Sequence, residues 1–196
     1  MNDFLNTQIE LENSKVILVP FTKGKAQELR NIIFDDTIWD YMGMYVKTEN
    51  DFKNYIDDML KKHSKTAYSF LIIDKFTNEI AGSTSFGNIN FNSEKAEIGW
   101  TWYGKKFQGT GLNKACKFEL LQYGFEQIGL RRIQFSADLE NIKSQKAIEK
   151  LGAIKEGVFR NNYIDAAGNS KDDVYYSIIR EDWEQIKTDV FAEYSV

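Results

Sequence analysis

Gln108-Gly109-Thr110-Gly111-Leu112-Asn113 joins two segments of different period. Before it, Ala96 to Tyr103 alternates with period two, so Ala96, Ile98, Trp100 and Trp102 fall on one face of a strand. Glu97, Gly99, Thr101 and Tyr103 fall on the other. After it, Leu112 to Gln127 reads as a helix. One stripe carries Leu112, Ala115, Cys116, Leu120 and Tyr123, and a second carries Phe118, Leu121 and Phe125, so the helix is expected to be buried on two sides. Two glycines at a strand-to-helix junction let the backbone turn tightly and bring its N–H groups close to a ligand. The helix behind them adds its unpaired amides and positive dipole end, which makes an anion site.

Working outward, Val16 to Val19 is a short strand ended by Pro20, and Lys25 to Phe34 reads as a helix with Ala26, Leu29, Ile32 and Ile33 on one side. Thr48 is placed as an N-cap with Asp51 in the first turn, followed by Phe52, Tyr55, Ile56, Met59 and Leu60 at helical spacing. Tyr68 to Asp74 is apolar on both faces and is expected to be central in its sheet. Turns at Lys75–Asn78 and Phe91–Ser93 bound strands Glu79–Asn90 and Lys95–Tyr103. Ile133, Phe135 and Ala137 alternate in a further strand. Asn141 and Gly152 bound a short helix, Ala153–Tyr163 and Asp172–Ile179 are strands, and Trp183, Ile186 and Val190 mark a closing helix. The order β-α-α-β-β-β-α-β-α-β-β-α predicts one α/β domain, a mixed sheet covered by helices. It is read over residues 1–196, with residues 1–12 as a flexible lead-in.

Composition bounds the function. The chain has 196 residues, 42% hydrophobic and 28% charged, as expected of a globular protein with a substantial core. Lys+Arg of 25 against Asp+Glu of 29 gives −4, which speaks against a general nucleic-acid binder. One cysteine, Cys116, and one histidine, His63, leave no intrachain disulfide and no thiolate–imidazole zinc set, so no metal is expected. His63 ends a Lys61-Lys62-His63 run and reads as surface. No apolar run reaches the roughly 20 residues that cross a bilayer, and no secretory signal is visible, so the expected location is the reducing cytoplasm. A homodimer is compatible with this sequence, which leaves the oligomeric state open.

Two familiar phosphate loops fail on spacing. Thr110 stands where a Walker loop needs lysine, and Lys114 replaces the third glycine of the dinucleotide fingerprint. The stretch instead resembles the Q/R-x-x-G-x-G/A pyrophosphate loop of the GNAT superfamily of acyl-CoA-dependent N-acetyltransferases. It matches at Gln108 and Gly111 and departs at Asn113, where Gly or Ala is expected. The element order is that of the GNAT fold. Ala96–Trp100, Asp138–Ser144, Ala147–Ala153 and Glu156-Gly157 are closest to the ribosomal-protein N-terminal acetyltransferase (RimJ/RimL-like) branch.

The resemblance implies an acetyl-CoA-dependent enzyme in which an amine, from a protein N-terminus or a small molecule, attacks the thioester directly. Backbone amides along Trp100, Thr101 and Trp102 would polarise the acetyl carbonyl. Gln108, Gly109, Thr110, Gly111, Leu112 and Asn113 would hold the pyrophosphate, Asn141 would contact the cofactor, and Lys106 is a candidate for its phosphates. Glu97 is the candidate base, because an amine must be neutral at attack and a nearby carboxylate can take its proton; a solvated strand glutamate is the plain alternative. Many members protonate the leaving thiolate with a tyrosine, at a position that is Ile148 here. Ser144 shares the inward helix face with Ala147, Ile148 and Leu151, and RimL-like enzymes are thought to use a serine there; otherwise it is a first-turn serine bonded to backbone. Trp100 is read as core packing. Asp35, Asp36 and Asp40 form an acidic loop that could attract a cationic acceptor. The missing tyrosine keeps a non-catalytic acyl-CoA-binding module as the alternative.

Overall fold

The computed structural model describes residues 5, 7–62 and 67–194; His63 lies outside them. Eight strands form one sheet in the order β1-β2-β3-β4-β5-β6-β8-β7. They are β1 (Leu11–Glu12), β2 (Val16–Pro20), β3 (Tyr68–Asp74), β4 (Glu79–Asn90), β5 (Lys95–Tyr103), β6 (Arg132–Asp138), β7 (Ile154–Ile164) and β8 (Ser170–Ile179). Every neighbouring pair is antiparallel except β5–β6. The helices are α1 (Glu49–Lys62), α2 (Leu112–Gln122), α3 (Ile142–Glu149) and α4 (Arg180–Val190).

The sheet separates two apolar cores. Tyr68, Phe70 and Ile72 of β3 join Ala96, Ile98, α2 and Trp183 on one face. Leu71 and Ile73 join Phe52, Tyr55, Ile56 and Trp39 on the other. This two-sided burial is why β3 reads as a continuous apolar run. The α1 start is a capping box, in which Thr48 Oγ1 accepts from Asp51 N at 3.2 Å and Asp51 Oδ2 accepts from Thr48 N at 2.9 Å.

Three elements differ from the sequence reading. The segment Lys25 to Phe34 forms a 3₁₀ helix over Lys25–Asn31. A three-residue pitch still buries Ala26 and Leu29 together. The long helix after the glycine loop changes to a π-helical turn at Tyr123–Ile128 and stops at Gly129. The segment read as a lead-in ends inside the fold, since Ile9 is buried and donates its N–H to Tyr68 Oη, and Leu11 pairs with Leu18. No helix among the described residues is long and apolar enough to cross a membrane.

Candidate active site

The parallel strands β5 and β6 pair only at Lys95–Arg132, Ala96–Ile133 and Glu97–Gln134. Beyond Glu97 they part. β5 runs on to the glycine loop and α2, while β6 runs on to α3, so the two helix starts flank an opening whose apex is Glu97. Such an interruption leaves unpaired backbone amides facing a gap, which in a sheet calls for a ligand or water.

The β5 side of the opening carries a bulge. Ser83 pairs with Trp102 and Ser85 with Gly99, so Trp100 and Thr101 together oppose Thr84. Trp100 takes φ 51°, the conformation that lets a bulge insert one residue. This overturns the expected alternation across Ala96–Tyr103. Ala96 and Ile98 lie in the α2-side core, whereas Trp102 lies in the opposite one. Trp102 donates Nε1–H to Tyr55 Oη at 3.0 Å and packs on Trp39. Trp100, read as core, is 43% exposed. Its indole lies on Gly87, where a Cβ would fall 2.1 Å from the ring. The two tryptophans, expected on one face with Ala96 and Ile98, are separated because one inserted residue reverses the side chains after it.

Glu97 is not a solvated strand glutamate. It is buried, and three side chains hold its carboxylate. Ser136 Oγ donates to Oε1 at 2.7 Å, and Oε2 accepts from Asn88 Nδ2 at 2.9 Å and Gln134 Nε2 at 3.0 Å. An ionised carboxylate offers about four acceptor sites, and these donors fill three of them. Ser136 and Gln134 are half-buried, more open than the carboxylate they hold. Sequence reasoning missed both, although they are the polar positions in the alternation Ile133, Phe135, Ala137.

At the loop, Gly109 and Gly111 take φ 77° and 89°, values that a side chain would strain. Gly111 precedes α2, which begins without a side-chain cap, so its first amides point at the loop unpaired by any cap. Thr110 Oγ1 donates to Phe107 O at 2.8 Å, and Gln108 Nε2 donates to Tyr103 O at 3.2 Å. Leu112 is buried and Asn113 half-buried. Lys143 of α3 reaches Gln108 Oε1 at 2.7 Å, which ties the two flanks of the opening together. Lys15 Nζ would stand 3.3 Å from a Cβ at Gly111. These two cations, absent from the sequence reading, lie at the loop. The expected one, Lys106, is paired with Glu79 at 2.7 Å and lines a surface depression with Arg30 and Asp35 that includes neither the loop nor Glu97.

On the β6 side, Asn141 Oδ1 accepts from Ser144 N at 3.0 Å and caps α3. Gln145, missed from sequence, donates to Asp138 O and Leu139 O and fixes the helix to the end of β6. Ser144 is half-buried, and its hydroxyl has no partner among the described residues. It is therefore not spent on backbone. Ile148 is buried where the family tyrosine would stand.

Acidic groups gather on β6 and β8. Asp138, buried, accepts from Tyr163 Oη at 2.6 Å and from Glu140 N. Asp173 pairs with it across the strands. Burial pushes the Asp173 carboxyl above its ordinary range, Asn162 opposes this, and the charges of Asp138 and Glu97 add to it. The Asp35–Asp40 loop is engaged elsewhere: Asp35 caps a short turn through Thr37, and Asp36 stands 3.7 Å from Lys47.

An opening between two parallel strands, a bulge on one, a glycine loop and a helix start at its mouth form the GNAT arrangement. The acetyltransferase (GNAT) domain family matches residues 15–154. The chain belongs to the GNAT acetyltransferases. Within them it is 34% identical over 110 residues to the "Putative ribosomal N-acetyltransferase YdaF" of Bacillus subtilis (strain 168), a stretch covering 56% of this chain and 58% of that protein. It is 29% identical over 175 residues to "Uncharacterized N-acetyltransferase YnaD" of the same organism, covering 89% of this chain and 99% of that protein. In fold it is similar to a GCN5-related N-acetyltransferase from Brucella melitensis, with TM-score 0.86, 24% identity and coverage of 95% and 85%. The ribosomal-type relative agrees with the RimJ/RimL-like branch. GNAT N-acetyltransferases are acyltransferases that use acetyl-CoA, and the enzyme reading replaces that of a non-catalytic module.

Proposed function

We propose that this GNAT acetyltransferase moves the acetyl group of acetyl-CoA onto the α-amine of a protein N-terminus by direct attack within the β5–β6 opening. The single observation that carries the reading is the Glu97 carboxylate at the apex, held by Asn88, Gln134 and Ser136. With three of its acceptor sites filled, Glu97 works through the Ser136 hydroxyl. That oxygen donates to Glu97 and has lone pairs left for an amine N–H on its open side. As the C–N bond forms, the amine proton passes to Ser136 Oγ and the Ser136 proton to Glu97. The amides of Trp100, Thr101 and Trp102 face the acetyl oxygen at the bulge and stabilise its growing charge. The C–S bond then breaks, and the unspent Ser144 hydroxyl donates to the CoA thiolate. Gln108 to Asn113 hold the pyrophosphate against the α2 amides, with Lys15 and Lys143 as the nearby cations and Asn141 at the second helix start.

Of the acidic pair, Asp138 is buried and faces Lys171 at 4.0 Å, whereas the half-buried Asp173, held by Asn162, supports a cationic acceptor, which an N-terminus is before it is deprotonated. The description of YdaF as a ribosomal N-acetyltransferase is consistent with a protein acceptor. No disulfide is available to a chain with one cysteine, and the cytoplasm is the compartment proposed. The test is acetyl transfer from acetyl-CoA to a panel of peptides with free α-amines, read by mass spectrometry beside lysine-only and small-amine acceptors. Modification of the α-amine supports the reading; transfer confined to other amines contradicts the acceptor assigned here.

A further inference from the structure

The apolar underside of the bulge contains a lysine. Lys117 of α2 is 5% exposed, between the buried Cys116 and Phe118. Its Nζ donates to Thr101 Oγ1 at 2.5 Å and lies 3.4 Å from Thr84 Oγ1. The two threonine hydroxyls are 2.8 Å apart, and Thr101 Oγ1 lies 3.2 Å from Gly99 O. These are the residues of the bulge itself: Thr101 is one of the two bulged residues and Thr84 is the residue they oppose.

No carboxylate forms a salt bridge with Lys117 among the described residues. The titratable groups around it are the Cys116 thiol on its own helix and the Tyr103 hydroxyl of β5, which sits against that thiol. Glu119, two residues further on, acts on Cys116 and is hydrogen-bonded by Asn13. Burial pulls the Lys117 ammonium down to about 8. A buried charge without a counter-ion is costly, and a methionine of similar length would avoid the cost. Groups kept at such a cost cluster at functional sites.

We propose that Lys117 is a positioning residue for acetyl transfer: through Thr101 it fixes the bulge, and it sets a positive charge beneath the amides that face the acetyl carbonyl. The inference rests on the carbonyl lying at that bulge. Lys117 neither gives nor takes a proton in the step. The acceptor nitrogen bonds to the carbonyl carbon, the sulfur leaves, and the amine proton leaves by Ser136 and Glu97. Negative charge on the acetyl oxygen is stabilised by a cation fixed in the buried underside of the bulge more strongly than by one in solution.

Three measurements on wild type, Lys117→Met and Thr101→Val test this. Bound acetyl-CoA labelled with carbon-13 at the thioester carbonyl is read by isotope-edited infrared spectroscopy, which needs no acceptor. The carbonyl band should shift to lower frequency on the wild type and lose most of that shift on Lys117→Met. In turnover, kcat should fall about tenfold or more in Lys117→Met, with KM for acetyl-CoA within about twofold, and Thr101→Val should fall in the same direction. The alkaline decline of wild-type kcat, as the ammonium loses its proton, should be absent from Lys117→Met. Thermal unfolding should show Lys117→Met at least as stable as wild type, a pairing that a merely structural lysine cannot give. An unshifted wild-type carbonyl, an equal shift in wild type and Lys117→Met, or wild-type kcat in Lys117→Met would overturn the proposal. Failure of all peptide acceptors alongside a Lys117-dependent shift would instead reject the acceptor reading alone.

Discussion

Ser136 Oγ, two residues beyond the last paired rung Glu97–Gln134, donates to Glu97 Oε1 at 2.7 Å where β5 and β6 part. Glu97 is buried and Ser136 is half-buried. Glu97→Gln should therefore lower kcat/KM by about 10²-fold near neutral pH, with partial recovery relative to wild type at the same pH as the acceptor amine loses its own proton. Ser136→Ala should lower it by about tenfold or more, with the same recovery. Initial rates across pH 6 to 10, with acetyl-CoA affinity measured separately, check both. Equal loss at every pH would remove proton acceptance from their role.

Ser144→Ala separates the leaving group from the nucleophile. Its hydroxyl bonds no protein group among the described residues, so unfolding free energy should stay within about 0.5 kcal/mol of wild type. The rate should fall without the alkaline recovery seen for Glu97→Gln, because the effect is on the thiolate. Recovery with pH in this variant would move Ser144 to the acceptor side.

Gly111→Asp should abolish acetyl-CoA binding by calorimetry, since φ 89° strains any side chain there and a carboxylate would pair with Lys15 and repel pyrophosphate. Gly111→Asn separates the causes. It tolerates the left-handed backbone better and adds no charge, so it should fold like wild type and bind measurably. Equal affinity in all three proteins would take the loop out of the site.

Stability should depend on acid through Glu156. The Arg132 guanidinium holds its carboxyl down at about 2, with Ser177 donating a further bond. A carboxyl depressed in the folded state adds stability that is full above its unfolded value of about 4.5 and is lost as pH falls from there towards about 2. The pair is partly exposed, with side chains 28% and 41% accessible, so solvent screening reduces the contribution to about 1 kcal/mol. Chemical denaturation should show stability falling from pH 6 to pH 3 by more in wild type than in Glu156→Gln, the gap being the larger part of that contribution, because Asp51, Glu79 and Glu126 are depressed as well.

The fold was legible because its signals are local. Gly109 and Gly111, the Thr48–Asp51 box and the two-sided run Tyr68–Asp74 each state a geometry within a few residues. The bulge was not legible: Ala96–Tyr103 alternates without a break on paper, and only pairing with β4 shows that Trp100 and Thr101 face one residue. The same limit hid the Glu97 clamp, whose donors come from Asn88, Gln134 and Ser136 on two other strands. Lys117 was invisible for a related reason, since a lysine on an amphipathic helix reads as solvated until the sheet is laid over it.

The central claim is that the β5–β6 opening transfers acetyl to an α-amine with Glu97 and Ser136 taking its proton. The most direct measurement is the initial rate of CoA release with acetyl-CoA and a peptide bearing a free N-terminus, in wild type and Glu97→Gln, with mass spectrometry of the peptide. Wild type should release CoA in step with acetylation of the α-amine, and Glu97→Gln should bind acetyl-CoA normally while releasing CoA at least about tenfold more slowly. Acetylation at the wild-type rate by Glu97→Gln, or bound acetyl-CoA with no release above the acceptor-free rate in wild type, would contradict it.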